Sequence, residues 1–162
     1  MSSAEIQVRP ASQADIDRIV AFNAAMAEET EDKRLDPEIL RAGVGAVLQD
    51  AHKGRYWMAE IEGRVVGQTL LTWEWSDWRN GLFWWIQSVY VLPEARGKGV
   101  YRALYSHILE TARRTPDVCG IRLYVDQSNT RAARVYETLG MDAAHYNMYE
   151  VDFVLSDARP RS

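Results

Sequence analysis

The sequence predicts a mixed α/β domain, and three observations carry that prediction. Strand-like segments dominate the middle of the chain, over Tyr56 to Ile61, Val65 to Trp75 and Leu82 to Val91. Apolar residues at helical spacing precede and follow them. No linker, internal repeat or low-complexity stretch divides the 162 residues, 47% of them hydrophobic. A chain of that size suits a single core. One domain over 1–162 is expected, with its core in about 5–155 and a polar, frayed tail at 156–162.

The elements follow in order. Ile6 to Val8 is a short first strand. Ser12 with Asp15 resembles a capping box in which Asp replaces Glu, and Ile16, Ile19 and Val20 continue as a helix. Asp36-Pro37-Glu38 opens a second helix with a cap, a proline and an acid in its first turn, and Ile39, Leu40, Val44, Val47 and Leu48 form its apolar face. Glu62-Gly63 and Asn80-Gly81 are hairpin signals between the central strands. Val100 to Ala112 is helical, Val118 to Val125 a strand, and Asn129 starts a short helix that Gly140 ends. Ala143 to Phe153 is strand-like. The predicted order is β-α-α-β-β-β-α-β-α-β.

Composition narrows the function. A formal net charge of −4 argues against nucleic-acid binding and suits a cationic partner. Met1 to Arg9 has no apolar stretch of a signal peptide, and no apolar run is long enough to span a bilayer, so a soluble, cytoplasmic protein is expected. Cys119 is the only cysteine, and His52, His107 and His145 lack ligand spacing, so no metal is expected.

One stretch, VYVLPEARGKGVYRALY from Val89 to Tyr105, carries the chemistry. A strand hands over to a helix through Arg96-Gly97-Lys98-Gly99. Glycines let a backbone approach an anion closely, and a helix start offers unpaired amides and a positive dipole end. Two cations add charge-assisted hydrogen bonds. The turn is suited to a diphosphate; an ordinary turn with exposed cations is the alternative. It is neither a Walker A loop nor a GxGxxG fingerprint.

The arrangement resembles the GNAT superfamily of acyl-CoA-dependent N-acetyltransferases. That family's first signature is an Arg or Gln, two residues, Gly, one residue, then Gly or Ala, after a strand ending V-x-P; Val89, Val91, Pro93, Arg96 and Gly99 match it. Tyr101 departs from it, standing where Gly or Ala is usual. The second signature resembles NTRAARVYETLGM, Asn129 to Met141. The resemblance implies a central twisted mixed sheet flanked by helices.

It also implies acetyl-CoA as co-substrate. Val89, Tyr90 and Val91 would line an open strand edge that pairs with the pantetheine arm. The amides from Gly97 through Lys98, Gly99 and Val100 to Tyr101 would seat the diphosphate beside Arg96. Tyr136 would protonate the departing thiolate, or else is a core tyrosine beside Val135 and Leu139. Asn129 would cap its helix, touch pantetheine, or both. Many members carry a glutamate where this chain has Gln87, which cannot take a proton. If Asn80-Gly81 is a two-residue turn, Glu74 pairs with Gln87 and could replace that base; a solvent-facing strand residue is the alternative.

The acceptor is less legible. Thr72 to Trp85 holds five of the six tryptophans. Trp75 and Trp85 are candidates to hold a cationic amine against their rings, with Glu28 of the acidic run Glu28 to Asp32 attracting it. A bulky core or a homodimer interface would also use them. The expectation is acetyl transfer to a small primary amine in a ternary complex. A silent acyl-CoA-binding protein and a peptide or protein amine acetyltransferase are the rivals.

Overall fold

The computed structural model describes residues 4–155, so the tail expected to fray at 156–162 lies outside the described residues. The chain divides into two compact units between Tyr124 and Val125. The first contains β1 (Ile6–Pro10), a 3-10 turn (Gln13–Asp15), α1 (Ile16–Glu31), α2 (Pro37–Gln49), β2 (Arg55–Ile61), β3 (Arg64–Ser76), β4 (Gly81–Val91), a second 3-10 turn (Pro93–Ala95), α3 (Val100–Arg114) and β5 (Val118–Leu123). The sheet order is β1-β2-β3-β4-β5, with every pair antiparallel except β4–β5, which is parallel.

Alternation along β2 sorts the two layers. Tyr56 and Met58 face Ile19 of α1 and Val44 of α2, all buried. Trp57 faces the other way, its ring 4.5 Å from His107 of α3. From α3, Val100, Leu104, Tyr105, Ile108 and Ala112 are buried, the helical stripe expected from the sequence.

Local chemistry sets the helix starts. Asp36 accepts from the amides of Glu38 (2.9 Å) and Ile39 (3.1 Å) ahead of Pro37. Asp15 accepts from the Ser12 amide at 2.8 Å and takes both terminal nitrogens of Arg9, at 2.9 and 2.8 Å. Arg9 Nε reaches Glu60 at 2.7 Å, tying β1, β2 and the start of α1 together. The Arg9 hydrogen bond holds the Asp15 carboxyl below its ordinary value, against the opposing effect of burial. Its contribution is therefore complete above the unfolded carboxyl pKa and is lost as pH falls through the lower folded value. Asp15→Asn should cost about 1.5–3 kcal/mol at neutral pH. In urea melts the gap between parent and variant should close below about pH 4.

The hairpin turns differ. Glu62 (φ 50°) and Gly63 (φ 77°) form the two-residue turn expected, with Ile61 opposite Arg64. The second turn is longer: Ser76 pairs with Gly81, leaving Asp77 to Asn80 as a four-residue connection. Asn80 takes the left-handed conformation (φ 49°). Gly81 serves another purpose, because a Cβ there would lie 2.9 Å from Cys119 Cβ and 3.1 Å from the Asp117 carbonyl. The register therefore shifts: Glu74 opposes Phe83, and Gln87 opposes Leu70. The expected Glu74–Gln87 pairing does not exist.

The second unit holds α4 (Thr130–Thr138). Asn129 caps it, its Oδ1 accepting from the Ala132 amide at 3.1 Å, and Gly140 (φ 91°) ends it. No residue of α4 is buried, and Val135 is 42% exposed rather than the core position expected. The strand expected over Ala143 to Phe153 does not form; the segment carries no regular secondary structure, and Tyr146, Met148, Tyr149, Val151 and Phe153 are exposed. Alternation describes such a segment without supplying the partner edge that a strand requires.

Candidate active site

The first unit opens its sheet beside the glycine turn. The parallel β4–β5 ladder ends at Ile86 opposite Leu123, so Gln87 to Val91 continue without a β5 partner among the described residues. A bulge lies at the same point: Ser88 and Val89 both fall opposite Thr69, between the Gln68–Tyr90 and Leu70–Gln87 pairs. Ser88 is left-handed (φ 49°), and the Thr69 hydroxyl donates to the Gln87 carbonyl at 3.1 Å. Bulges bend a strand and re-aim its groups, which here turns β4 out of its ladder.

The Leu92 amide bonds to the Val66 carbonyl of β3 at 2.8 Å. Alternation then directs the polar groups of Val91 and Val89 to the opposite, open edge. Arg96 meets that edge: its Nε donates to the Val91 carbonyl at 2.9 Å. Its Nη2 pairs with Glu29 at 2.7 Å. In the structure these two contacts brace the turn against the ends of α1 and β4. Glu29 also accepts from the Tyr90 hydroxyl at 3.3 Å, and Tyr90 packs on Phe22 with centroids 5.1 Å apart. Burial, reinforced by Glu29, pushes the Tyr90 phenol up. Glu28, the acid singled out in the sequence, is exposed one residue away.

The turn itself has the expected form. Gly97 (φ 77°) and Gly99 (φ 84°) are left-handed, and a Cβ on either would meet nothing within 4 Å. The first i→i−4 bond is Ala103 N–H to Gly99 C=O at 3.0 Å, so the amides of the glycine turn lie ahead of the ladder of α3. Lys98 is exposed beside them. Val100 is 2% exposed and packs over Gly67, where a Cβ would stand 3.0 Å from Val100 Cγ1. That glycine lets the helix start approach the sheet closely. The backbone cradle fits an anionic diphosphate, and the bent free edge of β4 fits an extended amide chain.

The tryptophans do not act together. Trp73 and Trp84 are register partners with centroids 5.5 Å apart, and Trp75 (58% exposed) shares their face. Trp85 projects to the opposite face and lies 4.5 Å from Tyr124. Trp75 and Trp85 therefore cannot hold one acceptor between them. On the Trp85 face, Gln87 Nε2 donates to the Thr72 hydroxyl at 3.2 Å, and Glu74 pairs with Arg122 at 2.7 Å. Arg122 and Tyr124 had no motif to mark them; strand alternation alone puts them beside Trp85. Tyr136 is half-buried on α4 of the second unit.

No helix among the described residues is long and apolar enough to cross a membrane. A sequence model of the Acetyltransferase (GNAT) family matches residues 19–141. No curated protein matches the chain. Among solved structures, "a possible acetyltransferase from Clostridium difficile 630" is 44% identical, covering 92% of this chain and 98% of that one, with a TM-score of 0.86. The integron cassette protein HFX_CASS3, from the mobile metagenome of Cole Harbour Salt Marsh, is 22% identical over 91% of each chain, with a TM-score of 0.79. The aminoglycoside N-acetyltransferase AAC(6')-Iy, solved in complex with CoA, is 13% identical, covering 94% of this chain and 97% of that one, with a TM-score of 0.74. At those two identities the likeness is one of fold.

Proposed function

We propose that this chain, which belongs to the GNAT acetyltransferase family, transfers an acetyl group from acetyl-CoA to the primary amine of a small acceptor. The observation that carries the reading is the strand edge freed beyond Ile86 beside the left-handed Gly97 and Gly99. Acetyl-CoA supplies the activated acyl carbon and a thiol leaving group. The amides from Gly97 to Tyr101 hold the diphosphate, with Lys98 adding charge. The open edge of β4 at Val89 and Val91 aligns the pantetheine arm, and an amide there polarises the thioester carbonyl. Arg96 keeps its place as a strut between Glu29 and the Val91 carbonyl.

In the transfer, the acceptor nitrogen forms a C–N bond as the C–S bond breaks. The nitrogen gives up two of its three protons to solvent, and Tyr136, assigned by its place in the second motif, gives one to the thiolate and is reprotonated from solvent. Glu74 no longer serves as base in this reading. Its pairing with Gln87 is absent and Arg122 holds it. That observation also favours one rival, a silent acyl-CoA-binding protein, since Gln87 cannot accept a proton. Release of CoA thiol with polyamines, amino acids, aminoglycosides and short peptides separates the two. Amine-dependent release is expected; stabilisation by acetyl-CoA with no release toward any amine would favour the rival.

A further inference from the structure

Glu74, Phe83, Trp85, Arg122 and Tyr124 form a charged aromatic shelf on one sheet face. Register places them together: Glu74 opposes Phe83, and Trp85 opposes Arg122. The Arg122 guanidinium carbon lies 3.7 Å from the Phe83 centroid and 6.0 Å from that of Trp85. β5 carries Gly120 opposite Phe83, where a Cβ would meet the ring at 2.6 Å, so the glycine makes room for this support. Arg122 Nη1 donates to Glu74 Oε1 at 2.7 Å, and among the described residues neither group has a second hydrogen-bond partner. Both remain accessible, their side chains 35% and 45% exposed.

Such a pair offers a guanidinium edge and a carboxylate oxygen side by side. That is the complement of an α-amino acid head, whose carboxylate and ammonium are also side by side. A polyamine meets a neutralised Glu74 and a repelling Arg122. The shelf runs from this pair to the point where β4 and β5 part. Phe83 stands four residues before Gln87, roughly 13 Å along the strand. An α-amine bound at the pair stays beside its own carboxylate and falls short of that opening. An amine at the end of a four-methylene chain stands about 6 Å nearer to it, over Trp85 and the 54%-exposed Tyr124.

We propose that the acceptor is a diamino acid of the lysine type. Arg122 takes its carboxylate, Glu74 its α-ammonium, and the distal amine is acetylated. The proposal rests on the acetyl-transfer reading above. The distal ammonium loses a proton to solvent, its nitrogen bonds to the acetyl carbon as the C–S bond breaks, a second proton leaves the nitrogen, and the thiolate is protonated to free CoA.

The experiment measures thiol release by the full chain with L-lysine, L-lysinamide and cadaverine, with the acetylated nitrogen located by mass spectrometry. L-Lysine should exceed both others in kcat/KM by about tenfold or more, with acetylation on the side-chain nitrogen. Arg122→Gln should bring the lysine-to-lysinamide ratio to about one through a rise in KM for lysine. Arg122→Lys, which keeps the charge over Phe83 without the fork, should restore part of it. Should Arg122→Gln fail to fold, Glu74→Gln takes its place and should reduce the lysine-to-cadaverine ratio. Cadaverine or lysinamide matching lysine in the parent, an α-acetylated product, or an unchanged ratio in the variants would overturn the proposal. If no amine is acetylated while acetyl-CoA still raises the melting temperature, the transfer reading fails separately. The shelf is then judged by tryptophan emission: a change with L-lysine and none with cadaverine supports it, and no response to lysine overturns it.

Discussion

Gly99→Asp should fold nearly as well as the parent and gain no stability from acetyl-CoA. The parent, at 100 times its dissociation constant, should gain about 2.7 kcal/mol, a rise of roughly 5–10 °C in a chain of this size. The argument lies in what the substitution does not disturb. Gly99 is left-handed (φ 84°), a conformation Asp visits at a cost of about 1–2 kcal/mol. A carboxylate just before the first turn of α3 recovers part of that through the helix dipole. A Cβ there meets no protein atom within 4 Å, so the side chain projects into the space where the diphosphate is proposed to lie. The same charge that suits an empty helix start repels a second anion. Gly99→Asn adds the same bulk without the charge and should keep a reduced shift. Circular dichroism melts with and without acetyl-CoA read all three proteins. An undiminished shift in Gly99→Asp would place the diphosphate elsewhere and withdraw the roles assigned to Gly97 to Tyr101.

How much of this was legible depended on whether the governing interaction was local. The Asp36 cap, the Glu62-Gly63 turn and the glycine turn before α3 are each set by a few adjacent residues, and the structure has them where the sequence predicted. The β3–β4 register was not local. Asn80-Gly81 looks like a two-residue turn, yet Gly81 is required by Cys119 and Asp117 across the sheet. Once that glycine belongs to the strand, Glu74 slides from Gln87 to Phe83 and loses its catalytic argument. The partners of Arg96 are likewise non-local. Its neighbours in sequence suggest an anion, whereas its partners Glu29 and Val91 come from the end of α1 and the end of β4. A sequence motif recorded the backbone of the cradle well because the cradle is backbone. Side chains that cross between elements left no comparable trace.

The same division bears on Tyr136, whose assignment is by motif, and its removal is the second large effect expected. Tyr136→Phe should lower kcat by about 10²–10⁴-fold while leaving KM for acetyl-CoA little changed. The substitution keeps the ring and deletes only the hydroxyl, the donor a departing thiolate would need. The helix should persist: Asn129 caps its start and the left-handed Gly140 closes its end, neither depending on residue 136. Tyr136 is half-buried, and phenylalanine keeps the ring that does its packing. The two roles therefore separate cleanly in measurement. A proton donor shows itself as lost kcat with an unchanged melting temperature and an intact stabilisation by acetyl-CoA. A packing residue shows the reverse, a lower melting temperature with kcat preserved per folded molecule. Parent-like turnover in a fully folded Tyr136→Phe would move the proton return to water and leave the chain's contribution to transfer as binding, alignment and polarisation of the carbonyl.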